Sequence, residues 1–432
     1  MLALLLLFST VAKILFRMGL DGGFFRVHYD LEDALAQRRL AGTVALFAGA
    51  SSTALFLLVA LLASPLTRLL FHAEAPPSRF VVLAAADVWL SSFAFVPLNL
   101  LRIQDRPGVF STYSACRHTL NTVLKVVLVM RGHGVEGILW SDAIATGLFS
   151  ASLLPVLLRG ASWSWDGPLL REALGFGLPK VPHGVLVQVL NLADRRILDL
   201  FVSRAEVGIY QMGYTFGTGV KFALSAFEPA WQPFVYARIR EPEAPRTLAR
   251  VATWAFAAFV GVGLAFAVMA PELVRIMTRN PAFWAAAPVV PVVTLAYVLH
   301  GAFLLGSVGI AIQKKARYYP MITAAAAATN VAANFALIPR FGILGAAWAT
   351  VLAYAVMAGM GIRISQRLYP VPFEWPRLSS LALAAGVTYA LSLLAPQALG
   401  AAVAVKLLCL ASFPAMLWAL GLRPPSTPSS AV

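Results

Sequence analysis

Apolar runs of about 20 residues recur from one end of this chain to the other, and that recurrence limits the fold more than any motif does. A run of that length crosses a hydrocarbon core of about 30 Å as α-helix. In lipid a helix satisfies every backbone N–H and C=O within itself, so each run is expected to be one membrane span. Thirteen spans follow, at roughly 1–20, 41–64, 80–101, 107–130, 134–158, 176–202, 206–236, 248–270, 284–312, 318–338, 342–366, 378–395 and 400–421. The loops between them are too short for a soluble domain. Composition agrees: of 432 residues 59% are hydrophobic and 12% charged, with mean hydropathy +0.77. A soluble domain carries about one-quarter charged residues. The fold class is an all-α polytopic membrane protein.

A net charge of +15 raises the question of nucleic acid. The basic residues are scattered through short loops, which is how topology signals are distributed, and nucleic acid is not an expected partner. Alternating the loops puts Arg17, Arg26, Arg38, Arg39, Lys180, Lys314 and Lys315 with the larger basic share on one side. That side is expected to be cytoplasmic, with the C-terminus inside and residue 1 starting outside. Cys116 and Cys409 both fall in spans, without disulfide or metal spacing. No P-loop, nucleophile elbow or metal cluster is present, and the chain is read as a non-enzyme with no metal and no cofactor.

The chain contains a repeat. "QDRPGVFSTYSACRHTLNTVLKVVLVMRGHGVEGILWSDAIA" from Gln104 aligns with "QKKARYYPMITAAAAATNVAANFALIPRFGILGAAWATVLA" from Gln313. Asn121 falls on Asn330 and Arg131 on Arg340 at an offset of 209; Gly134, Gly137 and Trp140 fall on Gly342, Gly345 and Trp348 at 208. Both copies cross in the same sense, so the architecture is expected to be two pseudo-symmetric helical bundles around a central cavity. The expected divisions are 1–160, 161–368, two further helices at 369–422 and a disordered cytoplasmic tail at 423–432. By the same alignment residue 1 falls beside the second helix of the second bundle. The alignment therefore predicts fourteen spans, with the first helix of the first bundle missing from this sequence.

The stretch "SACRHTLNTVLKVVLVMR" places charge where lipid is expected. At about 100° per residue Arg117, Asn121 and Lys125 fall within about 80° of one another, and His118 lies beside them. Arg117 is about 15 Å beyond Pro107 along the helix, near the bilayer midplane. A charge there costs about 2.5–3.5 kcal/mol unless it faces water or an anion, so the stripe is expected to line a polar cavity. Its second-unit counterparts are Ala326, Asn330 and Asn334, a stripe kept polar by its two asparagines but not cationic. Lys221 sits mid-span above Ser225 and Glu228, and Lys13 occupies the matching place in the first unit. Arg26 follows a Gly-Gly break and is expected at the cytoplasmic mouth. Asp87 lies inside its span without an evident partner. Asp194 and Arg195 approach the outer end of theirs, where a structural ion pair and a functional site are both open readings. The expected cavity residues are Arg117, His118, Asn121, Lys125, Lys221, Lys13, Arg26, Asn330 and Asn334; Glu228, Asp87 and Asp194 are the carboxylates that could trade a proton or sodium ion.

The stretches "GFGLPKVPHGVLVQVLNLADRRILDLFVSRAEVGIYQMGYTFG", "SAFEPAWQPF" and "NFALIPRFGILGAAWATVLAY" resemble the polysaccharide transporters and O-antigen flippases of the multidrug/oligosaccharidyl-lipid/polysaccharide exporter superfamily. The resemblance implies two bundles in a V-like arrangement and export of undecaprenyl-diphosphate-linked oligosaccharide by alternating access. It implies a multi-pass protein of the bacterial inner membrane whose partners are the lipid-linked oligosaccharide, membrane lipids, and polysaccharide polymerase and chain-length machinery. The headgroup is anionic, which suits Arg117 and Lys125. Three other readings stand beside it. A cation-coupled multidrug exporter would favour interior carboxylates, a membrane-embedded glycan polymerase or ligase would carry a large outer loop, and an assembly scaffold would transport nothing.

Overall fold

In the computed structural model the described residues are 2–71, 76–104, 107–278, 280–396 and 399–419. The tail at 423–432 lies outside them. Among the described residues every regular element is helical, and eight helices are long and apolar enough to cross a membrane. The chain forms two compact units, residues 1–188 with 232–237, and residues 189–231 with 238–432.

The first unit holds α1 (Leu2–Arg17), α2 (Leu20–His28), α3 (Ala34–Leu61), α4 (Ala63–Phe71), α5 (Arg79–Ile103), α6 (Pro107–Met130), α7 (Gly134–Ser152), α8 (Leu154–Gly160), α9 (Gly167–Gly177) and the start of α10 (Lys180–Leu198). Its central helix is α5, packed by α1, α3 and α7. Two of these helices start at polar caps. Asp33 accepts from the Leu35 and Ala36 amides and starts α3; Asp166 accepts from the Leu169 amide and starts α9. Each such cap stabilises its helix by about 1 kcal/mol. Thr43, buried in α3, donates to the Ser164 carbonyl and accepts from the Asp166 amide, which ties the lead-in of α9 to the core. Phe24, Val27, Leu40, Val44, Phe95, Leu100 and Ala173 then close a core shared by α2, α3, α5 and α9.

The second unit holds the rest of α10, α11 (Arg204–Gly217), α12 (Val220–Arg238), α13 (Ala244–Val268), α14 (Ala270–Met277), a 3₁₀ turn at Pro281–Ala286, α15 (Val289–Gly306), α16 (Val308–Ile312), α17 (Tyr318–Leu368), α18 (Trp375–Ser392) and α19 (Leu399–Ala419). Here α15 is central, packed by α11, α13 and α17. The run expected at 206–236 is two helices, parted at Thr218–Gly219, and Gln232–Ala237 of α12 belong to the first unit. The Lys406 ammonium reaches both oxygens of Glu272 at 2.8 Å, with both residues buried, and pins α19 to α14.

The aligned glycines share a positive φ. Gly134 has φ +51° and Gly342 φ +54°, a region that L side chains avoid. Three residues on, a Cβ on Gly137 would lie 2.9 Å from Leu128, and one on Gly345 would lie 2.5 Å from Leu337. Leu337 is the repeat partner of Leu128 at the offset of 209. In an unbroken helix residues 337 and 345 would stand about 12 Å apart. Their contact means that the chain reverses at Gly342, so α17 is a helical hairpin of the same kind as α6–α7.

Candidate functional site

In an antiparallel helical hairpin, residues equidistant from the turn meet. That rule places the expected stripe of α6 against α7. The Arg117 guanidinium donates from Nη2 to Thr146 Oγ1 at 3.0 Å, and the Thr146 hydroxyl donates to Asp87 Oδ1 at 2.5 Å. Thr146 is buried, and Asp87 lies half-buried on the central helix. One turn further along α6, Asn121 Nδ2 donates to Asp142 Oδ1 at 2.7 Å, and two turns along, Lys125 Nζ meets the same oxygen at 2.8 Å. From α1, Lys13 comes within electrostatic reach of both Asp87 and Arg117.

Four helices therefore bring together Lys13, Asp87, Arg117, Asn121 and Lys125, all named from the sequence, with Asp142 and Thr146. The charges are unequal: Lys125 is matched by Asp142, whereas Asp87 faces both Lys13 and Arg117. One positive charge is left over. Arg117 makes no ion pair of its own among the described residues, and its Nε is buried without a hydrogen-bond partner there. Its guanidinium lies 5.5 Å from the centre of the Phe149 ring and borders a cavity of about 360 Å³ lined by Tyr113, Cys116, Leu120, Leu148 and Phe149. An amphiphile with an anionic end fits such a surface in chemical kind: apolar walls and an arginine whose charge is incompletely matched.

A family model described as polysaccharide biosynthesis protein matches residues 1–279. The chain belongs to the polysaccharide biosynthesis protein family. No curated protein sequence matches it. Among solved structures, a mutant of the Vibrio cholerae MATE transporter VcmN is similar at TM-score 0.71 and 18% identity, over 83% of this chain and 86% of that one. A MOP superfamily transporter from Pyrococcus furiosus, with a binding pocket of reverse polarity, is similar at TM-score 0.66 and 15% identity over 86% of each chain. The lipid II flippase MurJ, in an inward closed conformation, is similar at TM-score 0.61 and 11% identity over 96% of this chain and 90% of that one. The fold of this polysaccharide biosynthesis protein is thus the MATE and MurJ transporter fold.

The remaining sequence-named residues of this family member fall elsewhere. His118 is exposed on α6. Arg26 is not open at a mouth: it is buried, paired with Asp30 and stacked 5.6 Å from the Tyr236 ring, because α2 packs into the α3–α9 core. Beside it, burial pushes the His28 imidazole down to about 4. In the second unit Asn334 Nδ2 donates to Asn330 Oδ1 at 3.0 Å with both residues fully buried. Lys221 lies 4.5 Å from the centre of the Tyr297 ring, and Glu228, further along α12, is exposed. Asp194 is 1% exposed; its Oδ2 accepts from the Tyr210 hydroxyl at 2.6 Å and its Oδ1 from the Arg195 amide at 2.8 Å. The Arg195 guanidinium stacks instead on Tyr214, 5.2 Å from its centre.

Sequence reading missed Asp142, Thr146 and the tyrosines Tyr210, Tyr214, Tyr297 and Tyr354. The first two were within reach, since counting outward from the Gly132–Gly134 turn pairs Lys125 with Asp142 and Asn121 with the level of Thr146. The tyrosines gave no comparable signal. They come from α11, α15 and α17, and only packing unites their hydroxyls: Tyr214 and Tyr297 are 2.9 Å apart, and Tyr297 also hydrogen-bonds Tyr354.

Proposed function

We propose that this protein moves undecaprenyl-diphosphate-linked oligosaccharide, a repeat unit of O-antigen, capsule or exopolysaccharide, across the bacterial inner membrane by alternating access. The observation that carries this reading is the surplus positive charge of the Lys13–Asp87–Arg117 cluster inside the first bundle of a polysaccharide-family chain. Membership in that family supplies the glycan, and the fold it shares with the lipid II flippase MurJ supports a lipid-linked substrate. Arg117 and Lys13 meet the diphosphate, with Asn121, Lys125 and Asp142 as the neighbouring polar ladder. The role is transport, with no residue assigned to catalysis. Asp194, the most buried of the three carboxylates, is the strongest candidate for trading a proton or sodium ion, ahead of Asp87 and the exposed Glu228.

Drug export is the second reading, favoured by the fold shared with MATE transporters. It fits the first unit less well, because Asp87 and Asp142 are both engaged by neighbouring cations or hydroxyls and the net charge there repels a cationic drug. Complementation of a glycan-export mutant separates the two. Arg117→Ala is expected to abolish surface glycan at unchanged protein abundance, and undiminished glycan would retire the headgroup assignment.

A further inference from the structure

The linker between α8 and α9, residues 161–166, lies directly on the start of α3. The Ser162 amide donates to the Arg38 carbonyl at 2.8 Å, and Gly42 lets the Ser162 carbonyl come so near that a Cβ there would lie 1.8 Å from its oxygen. Thr43 holds the other end through Ser164 and Asp166. On this fixed linker Trp163 and Trp165 stand outward, 49% and 61% exposed. Two outward indoles at the end of a span fit the headgroup level of a membrane, where the ring is apolar and its N–H stays wet.

Three arginines share that end of the first unit. Arg38 and Arg39 precede the apolar run that α3 carries, and Arg159 follows the run that ends in α8. The Arg38 guanidinium donates from Nη2 to the Arg159 carbonyl at 3.2 Å, which brings the two helix ends together. All three side chains are exposed, and among the described residues none of them forms an ion pair. The carboxylates of Asp33 and Asp166 are turned to the amides that open α3 and α9. Glu32 precedes the Asp33 cap, and Glu172 lies on α9 beside Arg171.

We propose that Arg38, Arg39 and Arg159 bind the phosphate of an anionic phospholipid whose glycerol and upper acyl chain rest on Trp163 and Trp165. Guanidinium groups suit a phosphate because they donate in pairs at fixed geometry. The basic excess marks this end as cytoplasmic, the side on which anionic lipid attracts residues next to a span. An acidic protein partner would meet the arginines equally well but has no use for two indoles at headgroup depth. A lipid uses both. The bound lipid would hold the 161–166 linker, and with it the start of α9, at the membrane surface. The site is separate from the Arg117 cluster and does not depend on what that cluster carries.

The test is quenching of tryptophan emission by brominated lipid, with the full chain in phosphatidylcholine nanodiscs. Brominated phosphatidylglycerol is titrated in one series and brominated phosphatidylcholine in a parallel one. The chain has ten tryptophans, so the emission of the pair is taken as wild type minus a Trp163→Phe, Trp165→Phe variant. Each basic residue near an anionic surface favours it about fivefold, so two engaged arginines suffice for a preference of about tenfold. Wild type is therefore expected to be half-quenched at about a tenfold lower fraction of the phosphatidylglycerol than of the phosphatidylcholine. Arg39→Gln with Arg159→Gln, which leaves the Arg38 bond to α8 in place, should bring the two series together. Lysine at the same two positions should restore most of the difference, which separates charge from any loss of fold. Equal quenching by the two lipids in wild type overturns the site, and leaves the arginines to an acidic protein partner or to none. A preference that survives both glutamine substitutions overturns the assignment of the phosphate to these arginines.

Discussion

The α6–α7 hairpin and the two halves of α17 share a backbone and differ in what they hold between them. Both reverse at a positive-φ glycine, and both press a second glycine against an equivalent leucine. In the first unit Asn121 and Lys125 face Asp142, and Arg117 faces Thr146. In the second, Asn330 and Asn334 bond each other, Asp142 is replaced by Thr350 and Thr146 by Tyr354. Charge is thereby traded for amides and phenols at matching positions. A duplicated bundle can keep its packing while one copy becomes an ionic site and the other a buried tyrosine network around a single carboxylate, because the glycine turn fixes the register and leaves the facing side chains free to change.

The largest expected effect tests the second unit. Tyr210 is fully buried and donates to Asp194, itself buried, so Tyr210→Phe leaves a carboxylate oxygen without its short donor. Leaving a buried polar group without its partner costs about 1–3 kcal/mol, and the loss should lie at about 2–3 kcal/mol in reversible unfolding. Tyr214→Phe, which removes one phenol from a phenol pair, should lose only about 1 kcal/mol. Equal losses would mean that the carboxylate does not organise the network.

Acid should strike the first unit through His28. Its imidazole ordinarily titrates near 6.5 and is held to about 4 by burial. The folded state keeps it neutral while the unfolded chain protonates, so the stability is present above 6.5 and is lost as pH falls toward 4. By about pH 5 the loss should be about 2 kcal/mol. Hydrogen exchange of α2 against pH checks this, and a His28→Gln variant whose α2 loosens on the same pH profile as wild type would remove His28 as the cause.

Much of this was legible in advance, for specific reasons. Helical periodicity alone put Arg117, Asn121 and Lys125 on one face, and the repeat alignment located the turn glycines. What periodicity cannot supply is the partner, because Thr146 and Asp87 come from two other helices. Burial also escaped it: α2, which carries the buried Arg26, packs on α9, a helix 140 residues away in the chain whose docking no local pattern announces, and Glu228 is exposed on α12. The Glu272–Lys406 pair, separated by 134 residues, was silent for the same reason.

The facing pairs can be exchanged to sharpen the comparison. Asp142→Thr alone leaves the Lys125 ammonium without its carboxylate. The pair is partly exposed, at 38% and 22%, so the loss should be about 2 kcal/mol rather than the larger cost of a fully buried break. Adding Lys125→Asn reproduces the second unit's residues at both positions and should recover most of that stability. If the double variant stays as unstable as the single, the two hairpins are not interchangeable in their packing.

The smallest effect addresses the shared backbone itself. A Cβ at Gly134 or at Gly342 would meet nothing within 4 Å, so an alanine there costs only the strain of positive φ, about 1–2 kcal/mol. Because space is open at both, the two losses in unfolding midpoint should match, a stricter demand than that each be destabilising. Gly108→Ala in α6 is the control: its space is equally open but its φ is ordinary, so alanine should be neutral or slightly stabilising. A harmless alanine at Gly342 alongside a costly one at Gly134 would mean that the second hairpin can relax its turn where the first cannot. The difference between the units would then lie in the turn as well as in the side chains between the helices.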